Sequence, residues 1–428
     1  MKKRIIVITV AAIVLLLCAC EAVKLPALPG TEGLFPPRPG NETPEPVPEP
    51  TEIPAAELAR LAALETAAQE LIARSEELRA QYYYDEALSV LRSADFMTES
   101  LSNAVTELEG EINALVNYTA DIPHIFFHSL IVYPEMIFTD KDTPMGGYNS
   151  GFSEKAELEK ILPRLYERGY VLYDLDKLWS MKDGVMQREE ILLPPGKTPL
   201  ILSVDDVAYA YGPGYAKKLY LDENGALTYE VPNPSGGIDT MPDGDVMGVV
   251  DKFVSEHPDF AYQGHKGTIA LTGFQGAFGY SYDIPEEAEQ MKLVVAALKE
   301  KGWNFASHSY THNSVKNFYG PGCSLDRITY DINKWVDRCV PCLGETRLFI
   351  APFGYRVQQP MLQAILDQGF EIYCTVDNKV YNELNPDYAL MSRIEIGGYS
   401  MTYYTDILNE LFFNVSEVFD AEGRPPVI

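Results

Sequence analysis

Residues 200–206 read Leu-Ile-Leu-Ser-Val-Asp-Asp, an apolar strand that ends in two adjacent carboxylates. Two neighbouring carboxylates at the end of a buried strand need a cation or hydrogen-bond donors, or one of them takes up a proton. A second stretch, residues 307–312, reads Ser-His-Ser-Tyr-Thr-His and follows another apolar segment. Two histidines four residues apart can converge on one metal, and a carboxylate adds a third ligand while a coordination position stays open. Together these stretches predict a metal-dependent site.

Around these stretches, short apolar runs alternate with amphipathic helical patterns from about residue 121 to residue 428. Strands are predicted at 125–132, 170–173, 199–204, 268–272, 303–306, 348–350 and 370–375, with helices near 154–168, 285–301, 325–339 and 360–368. Such alternation indicates parallel strands joined by crossovers, and about 300 residues of it suit a barrel better than a small open sheet. In a barrel of this kind the chemistry lies on the loops that follow the strands.

Several of these residues carry a family resemblance. Ser203-Val-Asp205-Asp206 resembles the Thr-Phe-Asp-Asp motif of the polysaccharide deacetylases, the family of the NodB homology domain and of family 4 carbohydrate esterases. The stretch from His308 to His312 is similar to the family's His-Ser/Thr-x-x-His motif, and Phe-Ile-Ala-Pro-Phe-Gly at 349–354 resembles its Phe-Arg-Pro-Pro-Tyr-Gly motif. Residues 122–130 look like its first strand. Over residues 121–428 the resemblance implies an α/β fold, a distorted (β/α) barrel of about seven strands.

The resemblance also implies roles for individual residues. Asp206, His308 and His312 would bind one divalent metal, with Zn²⁺ as the expectation. Asp205 would be the base that takes a proton from the attacking water, and the backbone N–H of Phe353 would help to hold the oxyanion. The reaction would be hydrolysis of an N-acetyl or O-acetyl group on a glycan, and peptidoglycan or another wall polysaccharide is the expected substrate of an exported enzyme.

Two positions depart from the family pattern. The arginine of its third motif aligns with Ile350, and its late Leu-His, which supplies a general acid, corresponds to Leu-Met-Ser-Arg-Ile-Glu at 390–395. We hypothesise that Arg393 approaches Asp205 from a different strand and keeps it ionised, as a nearby cation does. Asp205 would then return its proton to the leaving amine. Alternatively, Arg393 forms a structural ion pair.

Two other functions stay open, and the departures at Ile350 and Arg393 favour the first of them. One is a catalytically impaired barrel that binds wall glycan without hydrolysing it. The other is a metallohydrolase of the same fold that acts on a peptide or a non-acetyl amide. His128 either borders the site or is a hydrogen-bonded core histidine, and the remaining histidines, at 124, 257 and 265, are interpreted as structural or surface residues.

The N-terminus predicts export. Residues 1–4 are Met-Lys-Lys-Arg, and residues 5–19 form an uncharged, mostly apolar run of 15 residues, shorter than the ~20 residues that span a bilayer. Leu-Cys-Ala-Cys at 17–20 resembles the bacterial lipobox, which implies cleavage of a signal peptide (1–19) and lipid modification of Cys20. The alternatives are an uncleaved anchor or a simple secretory signal. The expected location is extracytoplasmic, with the chain lipid-anchored to the bacterial cell membrane.

Three further segments follow from composition. Residues 24–54 hold 10 of the 30 prolines, which predicts an extended tether over residues 20–54. Residues 55–118 show helical periodicity and are interpreted as an α-helical spacer, or as a surface that docks a partner or glycan. The insertion at about 208–267 is rich in tyrosine, and it forms either one wall of a glycan groove or a packed subdomain.

Charge and cysteine content set the remaining limits. With 34 Lys plus Arg against 62 Asp plus Glu, the net charge of −28 repels phosphate backbones, so nucleic acid is excluded as a partner. The expected partners are an acetylated glycan and, through the N-terminal lipid, the membrane. Outside the cytoplasm Cys323, Cys339, Cys342 and Cys374 allow three disulfide connectivities, and a structural zinc bound by all four is an alternative.

Overall fold

The computed structural model describes residues 53–274, 276–312, 319–320 and 322–428. The predicted signal peptide, the lipidation site Cys20 and nearly all of the proline-rich tether lie outside these residues. Across the described ranges, no helix combines the length and the apolar character that crossing a membrane requires.

The described strands and helices alternate through most of the chain. The strands are β1 (Val116–Asn117), β2 (His124–Phe127), β3 (Tyr170–Leu172), β4 (Trp179–Lys182), β5 (Val185–Arg188), β6 (Leu192–Leu193), β7 (Thr198–Asp205), β8 (Lys218–Leu221), β9 (Leu227–Pro232), β10 (Ile238–Met241), β11 (Gly267–Leu271), β12 (Trp303–Ser307), β13 (Leu348–Ile350), β14 (Ile372–Val376), β15 (Asn382–Leu384) and β16 (Ala389–Glu395). The α-helices are α1 (Ala55–Arg79), α2 (Tyr84–Arg92), α3 (Glu99–Ala114), α4 (Tyr148–Gly151), α5 (Lys155–Glu167), α6 (Val246–Glu256), α7 (Pro285–Glu300), α8 (Leu325–Leu343), α9 (Met361–Leu366), α10 (Gly398–Tyr403), α11 (Thr405–Leu411) and α12 (Val415–Val418).

Seven parallel strands close into a ring in the order β11, β12, β13, β14, β16, β2, β7 and back to β11. The predicted (β/α) barrel is therefore confirmed. Closure removes the exposed sheet edges and leaves all seven carboxyl ends at one face of the barrel.

The strand predictions missed one strand of the ring, β16. The strand predicted at 170–173 is β3, which pairs with the start of β7 outside the ring, and β16 takes the seventh place in the barrel. The apolar run that begins β16 is followed by Ser392, Arg393 and Glu395. Because these residues are polar, the remaining apolar run is too short to indicate a buried strand. The first strand is also shorter than predicted, because β2 ends at Phe127.

The barrel interior changes from apolar to polar along the strands. Alternate side chains point inward, and deep in the barrel these are residues such as Ile201, Ala306, Ile350 and Met391. Two residues further on, the corresponding positions are His308, directly after β12, and Arg393 in β16. The opposite faces of the strands pack against the surrounding helices in the main hydrophobic core. The polar end of the interior is thus the place where a site can form.

Helices α1, α2 and α3 share a small core of their own around Ala68, Leu91 and Leu101. The loop after α1 contacts the barrel domain, since the Tyr82 hydroxyl donates to the Asp259 carbonyl and the Tyr83 hydroxyl to the Gln263 carbonyl, both at 2.7 Å. The spacer and docking interpretations of this segment both stay predictions.

The insertion between β7 and β11 contains an antiparallel three-stranded sheet, in the order β10, β9, β8, together with α6. Three of its tyrosines, Tyr209, Tyr215 and Tyr229, are buried. Their rings pack inside the protein and are not exposed for stacking on sugars, which favours the packed subdomain over the groove wall.

The four cysteines after Cys20 are all free thiols in the structure. Cys339 and Cys374 are buried, and burial raises the pKa of each thiol to about 12. Neither is therefore an activated thiolate at neutral pH.

A buried charge cluster lies at the start of α5. Arg424 Nη2 donates to Glu157 Oε2 at 2.6 Å, and Arg424 Nε lies 3.5 Å from Glu154 Oε1. Burial, followed by the charge of Glu157, raises the pKa of Glu154 from 4.5 to about 7. The folded state therefore holds a proton on Glu154 that the unfolded chain releases near its ordinary pKa.

This shift predicts how stability depends on pH. The contribution of protonated Glu154 is fully present below pH about 4.5 and is lost as the pH rises through about 7. We expect the free energy of unfolding to fall by roughly 2 kcal/mol between about pH 5.5 and about pH 8.5. Glu154→Gln should flatten this dependence in thermal or denaturant unfolding, whereas Glu159→Gln, at an exposed site on the same helix, should not. An unchanged slope in Glu154→Gln contradicts the assignment.

Candidate metal centre

Three residues that the sequence singled out meet at the carboxyl ends of the barrel strands. Asp206 directly follows β7, His308 directly follows β12, and His312 lies in the loop beyond. One ligand atom from each of them lies within 4.8 Å of the others. β7 and β12 both pair with β11, so barrel closure brings together residues about 100 positions apart in the chain.

The backbone at this cluster is unusual. Asp206, Ser309 and His312 adopt positive φ values of 60°, 65° and 42°. Such conformations cost free energy in residues other than glycine, and they persist where the surroundings enforce them, often at functional sites. Two of the three clustered residues, Asp206 and His312, thus have a strained backbone, as does Ser309 between the two histidines.

Asp331, which the sequence analysis missed, holds the histidine loop in place. Its two carboxylate oxygens accept from the backbone N–H groups of Tyr310 at 2.8 Å and Thr311 at 2.9 Å. Ser309 Oγ accepts from the backbone N–H of His312 at 3.0 Å. A signal was present in the sequence, because Asp331 is an acidic residue on the buried face of α8, beside Ile332.

Hydrogen bonds fix the orientation of His308. Its Nδ1 lies 2.8 Å from the carbonyl oxygen of Ile350, and since a carbonyl only accepts, Nδ1 carries the proton. The Nε2 lone pair is then free, which is the usual arrangement of a histidine that binds a metal.

His312 is held in the form that metal binding requires. Its Nε2 lies 3.6 Å from Asp206 Oδ2. Burial, followed by the proximity of His308, lowers the pKa of His312 below its ordinary value. The imidazole is therefore uncharged at neutral pH and can act as a ligand.

The ligand set fits a zinc-like ion. Two imidazole nitrogens and one carboxylate oxygen, with positions left open, are typical of catalytic zinc sites. Bonds of about 2.1 Å bring ligand atoms to roughly 4 Å or less from one another. From the observed 4.8 Å, small side-chain rotations would close the triangle.

Asp205 lies beside this cluster and is paired with Arg393. Arg393 Nη1 donates to Asp205 Oδ1 at 2.8 Å, and the two side chains are 1% and 2% exposed. The other carboxylate oxygen, Oδ2, lies 3.7 Å from His308 Nε2. Burial alone would raise the pKa of Asp205, but Arg393 and then His308 hold it below its ordinary value. Asp205 is thus a buried, ionised carboxylate with one oxygen engaged.

The contact between Arg393 and Asp205 is the one that the sequence analysis hypothesised. Ile350, at the position of the family's arginine, is buried and contributes its carbonyl to His308. Arg393 reaches Asp205 from β16, two strands away from β7 around the ring, and its guanidinium lies 4.0 Å from the centre of the Phe126 ring.

Phe353 lies at the mouth of the cluster. Its φ is 56°, its exposed fraction is 51%, and its ring centre is 4.6 Å from that of His312. Within the described part of the chain, its backbone N–H has no hydrogen-bond partner. This donor is available to a bound molecule.

His128 and Glu395 adjoin the same mouth. His128 Nδ1 lies 2.8 Å from the Gly151 carbonyl and 3.8 Å from Glu395 Oε1. Burial raises the pKa of Glu395 above its ordinary value. The sequence analysis gave a position bordering the site as one of two alternatives for His128, but it missed Glu395, which follows Arg393 by two residues along a strand.

These two residues line an open cavity of about 600 Å³. Its wall carries three aromatic rings that are substantially exposed, those of Tyr148, Phe353 and Tyr399. Aromatic rings in such a position can stack on the apolar faces of a ligand.

Comparisons with known proteins give similarity at the level of structure. Neither protein-family models nor curated proteins yield a match. Among solved structures, the chain is similar to a de-N-acetylase from Aggregatibacter actinomycetemcomitans, with a TM-score of 0.39 and 12% identity, covering 65% of this chain and 96% of that one. It is also similar to a family 4 carbohydrate esterase from Streptomyces lividans, with a TM-score of 0.21 and 14% identity, covering 38% of this chain and 78% of that one.

Proposed function

We propose that this chain is a metal-dependent hydrolase that removes acetyl groups, chiefly N-acetyl groups, from a cell-envelope polysaccharide such as peptidoglycan. The observation that carries the proposal is the cluster of Asp206, His308 and His312 with the ionised Asp205 beside it. A three-ligand centre beside a buried carboxylate is an arrangement suited to activating water against a carbonyl group.

In this proposal Asp206, His308 and His312 hold one divalent ion, and their ligand types favour Zn²⁺. When bound, such an ion lowers the pKa of a water molecule and polarises the acetyl carbonyl.

Asp205 then acts as the general base. Its Oδ1 is occupied by Arg393, so Oδ2 is the oxygen that accepts the proton of the attacking water. The backbone N–H of Phe353 donates to the acetyl oxygen as negative charge develops on it.

The leaving amine must gain a proton, and His128 is a second candidate donor besides Asp205. A carbonyl accepts from His128 Nδ1, so Nε2 is the nitrogen through which His128 would donate to the leaving amine. Glu395 Oε1 lies 3.8 Å from the same Nδ1. We assign the general acid to His128.

His128→Phe tests this assignment and keeps a ring against Phe152, which stacks on His128 at 5.0 Å. We expect kcat on an N-acetylated glycan to fall about 100-fold. Hydrolysis of 4-nitrophenyl acetate should be nearly unchanged, because its leaving group needs no proton. An equal loss of rate on both substrates contradicts the assignment. An unchanged rate on the N-acetylated glycan means that Asp205, and not His128, is the general acid.

The substrate class and location are supported by separate features. The exposed rings around the cavity suit a sugar chain. The N-terminal sequence supports export, lipidation at Cys20 and anchoring to the bacterial cell membrane. An enzyme held there meets envelope polysaccharides, which supports a wall glycan as the substrate.

The proposal is tested by acetate release from N-acetylglucosamine oligomers and from peptidoglycan. We expect release by the purified protein, loss of release after treatment with a chelator, and recovery when Zn²⁺ is restored. Release that a chelator does not affect contradicts the metal assignment. Glycan binding by the zinc-loaded protein without acetate release contradicts the hydrolase and indicates a binding barrel instead.

A further inference from the structure

Behind the Asp205–Arg393 pair lies a buried chain of polar contacts. Arg393 Nη1, which donates to Asp205, also donates to Ser203 Oγ at 3.2 Å. Ser203 Oγ lies 2.8 Å from His124 Nε2. His124, Ser203 and Arg393 are all at most 2% exposed, and none of them faces the cavity that would take substrate.

The direction of these hydrogen bonds follows from counting protons. A guanidinium only donates, so Ser203 Oγ is the acceptor towards Arg393. The single hydroxyl proton of Ser203 must go elsewhere, and among the described contacts the acceptor within reach is His124 Nε2. This arrangement makes His124 a neutral imidazole whose proton lies on Nδ1, a buried atom with no hydrogen-bond partner among the described residues.

The surroundings of His124 agree with a neutral ring. Burial, followed by the nearby charge of Arg393, lowers the pKa of His124 well below its ordinary value. A protonated His124 would place a second buried cation near Arg393, at a high cost.

We propose that His124 and Ser203 are positioning residues that hold the Arg393 guanidinium in the orientation in which it donates to Asp205 Oδ1. This inference rests on the proposed function. The chain of contacts fixes which oxygen of Asp205 is engaged and which one faces the metal cluster. A guanidinium free to rotate could engage either oxygen, and base and water would then be misaligned for part of the time.

The kinetic test compares acceptor and non-acceptor side chains in the full chain. His124→Leu should lower kcat on N-acetylglucosamine oligomers about tenfold, with KM and bound zinc unchanged. His124→Gln, which offers an amide oxygen near the position of Nε2, should restore most of the rate. His265→Leu is the matched control, since His265 is also buried but contacts Asp174 at the other end of the barrel, and its kcat should not change.

A double-mutant cycle separates positioning from general loss of structure. If His124 acts through Arg393, then His124→Leu should cost nothing further in an Arg393→Met background. A loss of the same size in both backgrounds overturns the proposal, and so does a Gln variant no faster than the Leu variant.

A measurement that does not depend on activity tests this inference separately from the proposed function. In ¹⁵N NMR of the histidine-labelled protein, we expect His124 to be neutral near pH 7, with Nε2 unprotonated and Nδ1 protonated. Ser203→Ala should shift the Nε2 resonance. A protonated Nε2 overturns the inference, whereas a wild-type protein that releases no acetate but shows the expected tautomer contradicts only the proposed function.

Discussion

Replacing Asp205 with asparagine is expected to lower acetate release about a thousandfold while the chain still binds one divalent ion. Asparagine has nearly the shape of aspartate, and its amide oxygen can still accept from Arg393. It cannot take a proton from water at neutral pH, so the variant lacks the base. The proposed ligands Asp206, His308 and His312 are all still present. Kinetics on N-acetylglucosamine oligomers and metal analysis of the same preparation measure the two effects.

The neighbouring carboxylate provides the matched control. Asp206→Asn makes the same chemical change one residue along the chain, but it removes a ligand, so zinc affinity and activity should fall together. A thermal melt of both variants shows whether either loss reflects unfolding. If Asp205→Asn loses the metal as well, or if it retains more than about a tenth of the rate, Asp205 is not the base.

The cluster of Asp206, His308 and His312 could be predicted because its residues belong to two short motifs. The carboxylate pair ends an apolar strand, and the histidine pair has a spacing that suits one ion. What the sequence does not contain is the distance between the motifs, which depends on closure of the barrel through β11. The strained φ values at Asp206 and His312 are likewise imposed by the surrounding structure.

The residues that were missed have a different character. Asp331 acts through two backbone N–H groups, and a single buried acid on an amphipathic helix carries no motif. Glu395 belongs to a strand that the apolar pattern did not reveal. Once β16 is known to be a strand, the period of two places Glu395 on the same face as Arg393, so this residue depends on the strand assignment.

The contact of Arg393 with Asp205 shows how a departure from a motif can be informative. A carboxylate that must stay ionised in a buried place needs a cation, and Ile350 cannot supply one. The need for charge compensation therefore predicted a partner from elsewhere in the chain, and the two residues lie 2.8 Å apart. A buried charge can be balanced by a residue from any strand of the barrel, whereas a motif describes the residues of a single loop.

The same reasoning predicts that Arg393→Met lowers kcat about 100-fold at neutral pH and leaves zinc binding intact. Burial raises the pKa of Asp205 and Arg393 lowers it, so without the guanidinium the pKa must rise. The acidic limb of the pH–rate profile should then move to higher pH, because a larger fraction of Asp205 is protonated. Metal analysis and the profile of kcat between about pH 5 and about pH 9 measure both effects.

Arg393→Lys is the matched variant for this prediction. Lysine keeps the charge, so the acidic limb should stay near its wild-type position. Its side chain is shorter and lacks the planar guanidinium, so it cannot reproduce the positions from which Arg393 Nη1 donates to Asp205 and to Ser203. We therefore expect the lysine variant to have a reduced kcat with an unshifted profile, which separates the effect of charge from that of geometry. An Arg393→Met protein with normal turnover and a normal profile would mean that the ion pair only stabilises the barrel, with Asp205 kept ionised by the metal cluster alone.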